Sequence, residues 1–125
     1  MDQGRVGEST WAAEAAECAN RQGKFWEFHD MLFNQWRGEN VGTFTKPNLE
    51  KYAANLKLDT AAFNQCLESD ATQSVVQGTT NDAERLGVNA TPSFFLSKAN
   101  GQLQSLQPTT LDFSQFSGPI DSLLK

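Results

Sequence analysis

Leu86-Gly87-Val88-Asn89-Ala90-Thr91-Pro92-Ser93-Phe94-Phe95 is where the chain changes character. Before this stretch, apolar residues recur at helical spacing; after it, they come in short runs separated by Gly, Asn and Pro. Gly87 closes the last helical pattern, because a residue without Cβ accepts the left-handed backbone of a helix end. Ser93-Phe94-Phe95-Leu96-Ser97 reads as a strand. Asn100-Gly101 suits a two-residue type I′ turn, with Gln102 to Leu106 returning as a second strand. Pro108 ends the hairpin. Leu111 to Leu124 forms a last helical pattern, which Gly118-Pro119 should break or kink.

Upstream, the pattern is of consecutive amphipathic helices. Ser9 or Thr10 is placed to cap a helix over Trp11 to Gln22, and Gly23 to stop it. Trp11, Ala15, Cys18 and Ala19 share one face. The helix Lys24 to Arg37 carries two stripes, Phe25/Phe28/Leu32/Trp36 and Trp26/His29/Phe33. That breadth predicts burial from two sides, with the aromatic cluster as core rather than as the lining of a ligand groove. Residues 39–44 read as a loop. Thr45 is expected to cap a helix with Pro47 in its first turn and Leu49, Tyr52, Ala53 and Leu56 inward. Asp59 caps a shorter helix with Phe63, Cys66 and Leu67 inward, and a further helix runs from about Asp70 to Leu86. There is no internal repeat, low-complexity tract or domain linker.

Composition excludes several classes. A chain of 125 residues with nine Phe and three Trp can build one compact core. The formal charge of −5 and the lack of a Lys/Arg run argue against a nucleic-acid partner or an anionic membrane surface. No apolar stretch nears the roughly 20 residues of a membrane span, and no signal peptide is visible before residue 10. The two cysteines, Cys18 and Cys66, make neither a Cys-x-x-Cys pair nor a zinc ligand set. No metal or cofactor is suggested. His29 is the only histidine, so no two-histidine site is possible, and a helical His among aromatics reads as the edge of a core. Glu14, Glu17, Glu27 and Asp30 read as a solvated face.

Two blocks resemble DsbA-like, thioredoxin-fold thiol-disulfide oxidoreductases. The first is Ala12-Ala13-Glu14-Ala15-Ala16-Glu17-Cys18-Ala19 with Gln22-Gly23-Lys24-Phe25-Trp26-Glu27-Phe28-His29-Asp30 and Leu32-Phe33, similar to the start of the family's helical insertion. The second is residues 86–95, similar to the family's Gly-Val-x-Gly-Thr-Pro-Thr-Phe-Phe segment, with Ala90 in place of Gly and Ser93 in place of Thr. The resemblance implies an α+β, mostly helical, incomplete thioredoxin-like fold: a helical insertion domain over 11–87, then a cis-proline hairpin and terminal helix over 88–125. Residues 1–10 are expected to be an unstructured or cloning-derived lead.

The resemblance also sets the chemistry to be expected. Disulfide exchange needs an attacking thiolate and a second thiol near enough to resolve the mixed disulfide. The family's Cys-x-x-Cys at a helix start supplies both, and this sequence has none, so no residue is assigned as catalytic and the isolated chain should be redox-inactive. Cys18 and Cys66 resemble a structural disulfide found in family members; two unpaired buried thiols are the alternative. For Thr91-Pro92 an ordinary X-Pro bond would be trans, whereas the resemblance implies cis, with Thr91 and Pro92 contacting an extended peptide substrate. The strand over 94–97, without a neighbour on one side, should pair with a second copy or a complementing segment. An extracytoplasmic site is implied for the parent protein. The competing reading is a non-catalytic peptide- or partner-binding module.

Overall fold

A computed structural model describes residues 7–125. Six helices and one hairpin follow in the order α1 (Glu8–Asn20), α2 (Phe25–Gln35), α3 (Lys46–Asn55), α4 (Thr60–Glu68), α5 (Gln73–Arg85), β1 (Phe94–Leu96), β2 (Gln104–Leu106) and α6 (Ser114–Leu124). They form two compact units, Met1–Asp82 and Ala83–Lys125.

The expected lead is shorter than ten residues: Glu8, Ser9 and Thr10 already form the first turn of α1, and residues 1–6 lie outside the described residues. Neither Ser9 nor Thr10 caps the helix, whose N-cap is Gly7 with no side-chain bond. Glu8 does something the pattern did not signal. Its carboxylate accepts from the backbone N–H of Gly42 at 2.7 Å and of Phe44 at 2.9 Å, tying down the loop before α3. Asn48 and Tyr52 hold the same loop by donating to the carbonyls of Gly42 and Thr43. At the other end of α1, Gly23 takes the expected left-handed conformation, φ +71°. The side-chain amide of Gln22 then pairs with both backbone groups of Asp59 (2.8 and 3.1 Å), and the Asp59 carboxylate caps α4 through Ala62 N–H.

The core of the first unit is small and alanine-rich on α1, which lets neighbouring helices come close. Ala15, Ala19, Phe28, Leu49, Ala53, Phe63 and Leu67 are fully buried, with the Phe28 and Phe63 rings 5.3 Å apart. Trp11, Phe25, Leu32, Tyr52 and Leu56 pack around them, as their spacing predicts. The aromatic cluster is not all core, however. Trp26, Phe33 and Trp36 are 57–73% exposed. An 11-residue helix turns only one face to a core this size, and Trp36 has already left the helix, with ψ 131°. His29 sits among the outer rings, 4.7 Å from Phe33 and 5.2 Å from Trp26, and contacts Asp30 Oδ1 at 3.1 Å.

Glu14 is a further correction. Unlike the exposed Glu27 and Asp30, it is only 1% exposed, and neither carboxylate oxygen has a hydrogen-bond partner. Its place on α1, between the buried Ala12 and Ala15–Ala16, puts it inside the bundle. Burial pushes its carboxyl above the ordinary 4.5, the charge of Asp70 pushes it further, and Lys46 pulls it back. Glu50 on α3 shifts the same way, through burial first and then Glu68. A folded state that holds a proton longer than the unfolded chain loses stability as pH rises from about 4.5 through the raised value. Urea midpoints of wild type should therefore fall as pH rises through that window. Glu14→Gln should flatten the fall and be more stable than wild type at pH 7; an unchanged slope would refute the assignment.

The second unit is built differently. No residue from Ala83 to Lys125 is fully buried. β1 and β2 form a two-stranded antiparallel sheet, pairing Phe94 with Leu106, Phe95 with Ser105 and Leu96 with Gln104. That register is centred on Asn100, whereas a two-residue Asn100-Gly101 turn would set Ala99 against Gln102, one step out of phase. The reversal is instead closed by Gly101 N–H donating to Lys98 C=O at 2.8 Å, with Asn100 left-handed at φ +63°, and β2 starts at Gln104 rather than Gln102. Helix α6 continues through Pro119 instead of breaking. Gly118 eases this, because the proline ring's usual clash with the preceding Cβ has no Cβ to meet. Phe116 of α6 packs edge-on against Phe94, with ring centroids 5.0 Å apart.

Candidate functional site

Thr91 and Pro92 lie in the loop between the end of α5 at Arg85 and the start of β1 at Phe94, and both are exposed. Their peptide bond is cis. Gly87, left-handed at φ +79°, ends α5, and Val88 N–H returns to Ala83 C=O at 3.0 Å, which turns the chain toward the hairpin. Ser93 Oγ donates to Ala90 C=O at 2.6 Å, pinning the loop across the proline.

Beside this loop lies a groove of about 420 Å³. One wall is Gly87–Asn89 with Pro92 and Ser93, the floor is Phe94, Phe95, Ser105 and Leu106, and the other wall is Gln107–Leu111. The second wall was not anticipated. The available signal was Pro108, which ends β2 and folds the following residues back over the hairpin. Thr109 N–H and Oγ1 reach Gln115 Oε1, and Thr110 Oγ1 donates to Asp112 Oδ2, so this wall is fastened to the start of α6. A groove that runs beside a hairpin and is bordered by the loops on either side of it offers an extended chain a surface to lie along.

Cys18 and Cys66 lie in the other unit and are joined as a disulfide, with Cα atoms 5.9 Å apart. Both residues are buried, at 1% and 9% exposure. The bond clamps α1 to α4, and Thr72 supports it: its hydroxyl donates to Glu14 C=O at 2.9 Å and lies 3.8 Å from Cys18 Sγ. There is no thiolate here to attack a substrate and no second thiol to resolve one. Among the described residues no cluster of His, Cys, Asp or Glu could hold a metal ion.

Comparison with known proteins places this architecture. The family model described as thioredoxin matches residues 2–114. The chain belongs to the thioredoxin family. Two curated relatives of this thioredoxin-family chain are Na(+)/H(+) antiporters: NhaA 1 of Salinispora arenicola, 35% identical, and NhaA 3 of Salinispora tropica, 34% identical, each over 85 residues or 68% of this chain. The NhaA antiporter of Herminiimonas arsenicoxydans is 35% identical over the same length. The chain spans only 12–13% of the length of these relatives. No solved structure matches it significantly.

Proposed function

We propose that this chain is part of a DsbA-like protein-disulfide oxidoreductase, carrying the half that holds an extended polypeptide and not the half that exchanges sulfur. The observation that carries the reading is the groove beside Pro92, lined by the loop before β1, by both strands of the hairpin and by residues 107–111. Thr91 and Pro92 are the substrate-contact residues in this reading. The buried Cys18–Cys66 bond supports an oxidising, extracytoplasmic setting, where such bonds persist. It also supports a structural role for both cysteines, and with no Cys-x-x-Cys in the sequence the isolated chain is redox-inactive. The antiporter activity named for the relatives is not carried over: among the described residues no helix is long and apolar enough to cross a membrane.

The same groove favours a second reading, a non-catalytic module that retains peptides or a partner segment without any oxidoreductase parent. Two measurements divide the possibilities. In an insulin-reduction assay the chain should add nothing to the rate with dithiothreitol alone; clear turnover would sink both readings. Carboxymethylated insulin B chain, which is extended and cannot exchange sulfur, should bind. Leu111→Lys, at an exposed position on the groove wall, should weaken that binding about tenfold through loss of one apolar contact. Equal binding by wild type and variant would remove the groove from the account.

A further inference from the structure

Glu14 and the Cys18–Cys66 bond act on the same joint in opposite directions. Residues four apart on a helix lie on one face, so Glu14 stands one turn from Cys18. Glu14 is 1% exposed and neither of its oxygens has a hydrogen-bond partner, so its ionised form is held there at a cost. Both residues meet the turn from Ser69 to Thr72, which joins α4 to α5. Thr72, 2% exposed, donates from Oγ1 to Glu14 C=O at 2.9 Å and lies 3.8 Å from Cys18 Sγ. Arg21 donates to Ala71 C=O at 3.2 Å, and Asp70 pairs with Lys46 of α3 at 3.2 Å. The disulfide fixes α4 to α1 just ahead of the turn, where Ala71 N–H returns to Cys66 C=O at 3.1 Å.

The surrounding charges do not neutralise Glu14. Asp70 repels its charge and Lys46 attracts it, but Lys46 is already paired with Asp70. On the helices packed against α1, Glu50 of α3 shares a hydrogen bond with Glu68 of α4, while Lys24 of α2 pairs with Glu27 and His29 with Asp30. Lys51 of α3 is exposed. On α1 itself, Glu8 holds Gly42 and Phe44, and Glu17 accepts from Asn20.

We propose that Glu14 and the Cys18–Cys66 bond form a redox-set, proton-gated latch on the turn over residues 69–72. With the bond intact, α1 and α4 cannot part, and Glu14 stays enclosed whether charged or neutral. A dithiol that reduces the bond is oxidised to its own disulfide, while Cys18 and Cys66 take up two electrons and two protons and become thiols. The covalent restraint is then gone, and an ionised Glu14 regains hydration when the turn swings away. The start of α5, at Gln73, is released with it. A neutral Glu14 has far less hydration to regain, so the reduced latch stays shut in acid. A group that holds its proton longer when enclosed than when hydrated favours the open turn as pH rises above 4.5.

Amide hydrogen exchange on the whole chain, reduced by refolding under a phosphine (itself oxidised to the phosphine oxide), tests the latch. At pH 7 reduction should lower protection of the Ala71 and Val76 amides by at least about tenfold, while Leu58, whose N–H donates to Ala53 C=O, keeps its protection. Unchanged protection at Ala71 would overturn the proposal. So would an equal loss at Leu58, which would mean that the helical unit opens as a whole. In Glu14→Gln, which carries no charge to hydrate, reduction should change Ala71 by less than about threefold. Glu50 is present in both proteins, so its own titration cancels in the comparison. Equal losses in wild type and variant would remove Glu14 from the latch. Should the variant fail to fold, wild type decides: the loss at Ala71 shrinks at pH 4 if Glu14 is the gate, and a loss as large as at pH 7 overturns it.

Discussion

Replacing Cys18 and Cys66 together by alanine will lower the unfolding free energy of the helical unit by about 4 kcal/mol, read as a fall in the urea midpoint. The bond closes a loop with a sequence separation of 48, and a cross-link of that span removes about this much loop-closure free energy from the unfolded chain in the entropy model. Against a typical domain stability of about 5–15 kcal/mol, that is a large share. Both sulfurs are enclosed, so dithiothreitol should act slowly on folded protein and quickly in urea. A double-alanine variant with the wild-type midpoint would show that the clamp is redundant with the packing of α1 on α4.

Phe28→Ala will cost about 3–5 kcal/mol, the usual range for removing an enclosed phenylalanine from a core that cannot collapse around the void. Its ring is fully buried against Phe63 at the meeting of α2 with the rest of the bundle. Phe33→Ala, further along the same helix and 73% exposed, should change stability by less than about 0.5 kcal/mol. The pair is a direct test of which stripe of α2 is structural. Comparable losses from both would mean that the exposed stripe is packed in solution.

The helices and their inward faces were legible because period and capping agree locally: Asp59 caps α4, Pro47 opens α3, and Phe63, Cys66 and Leu67 point inward as spaced. What could not be read depended on how much core there was to share. The width of the α2 apolar face predicted two-sided burial, but the described fold covers one side, so Trp26 and Phe33 face solvent. Glu14 failed for the opposite reason. A charged type on a helix defaults to solvent, and only the helices packed around α1 reveal that this one is enclosed. At the hairpin, Asn100-Gly101 pointed to the right reversal and the wrong loop, since register is set by the strands as well as by the turn. The loop carrying Pro92, on one side of the groove, has a recognisable motif; the Gln107–Leu111 side has no signature beyond Pro108.

The Glu8 carboxylate has a practical consequence for anyone dissecting this chain. It reaches amides 34 and 36 positions ahead, so a short loop in the middle of the sequence depends on a residue near its beginning. Trimming the helical unit to Ser9 or later would release Gly42 and Phe44 and should open that loop to proteases. A minimal domain boundary drawn from the helix pattern, at Trp11, would thus cut off an anchor whose absence shows up some thirty residues away.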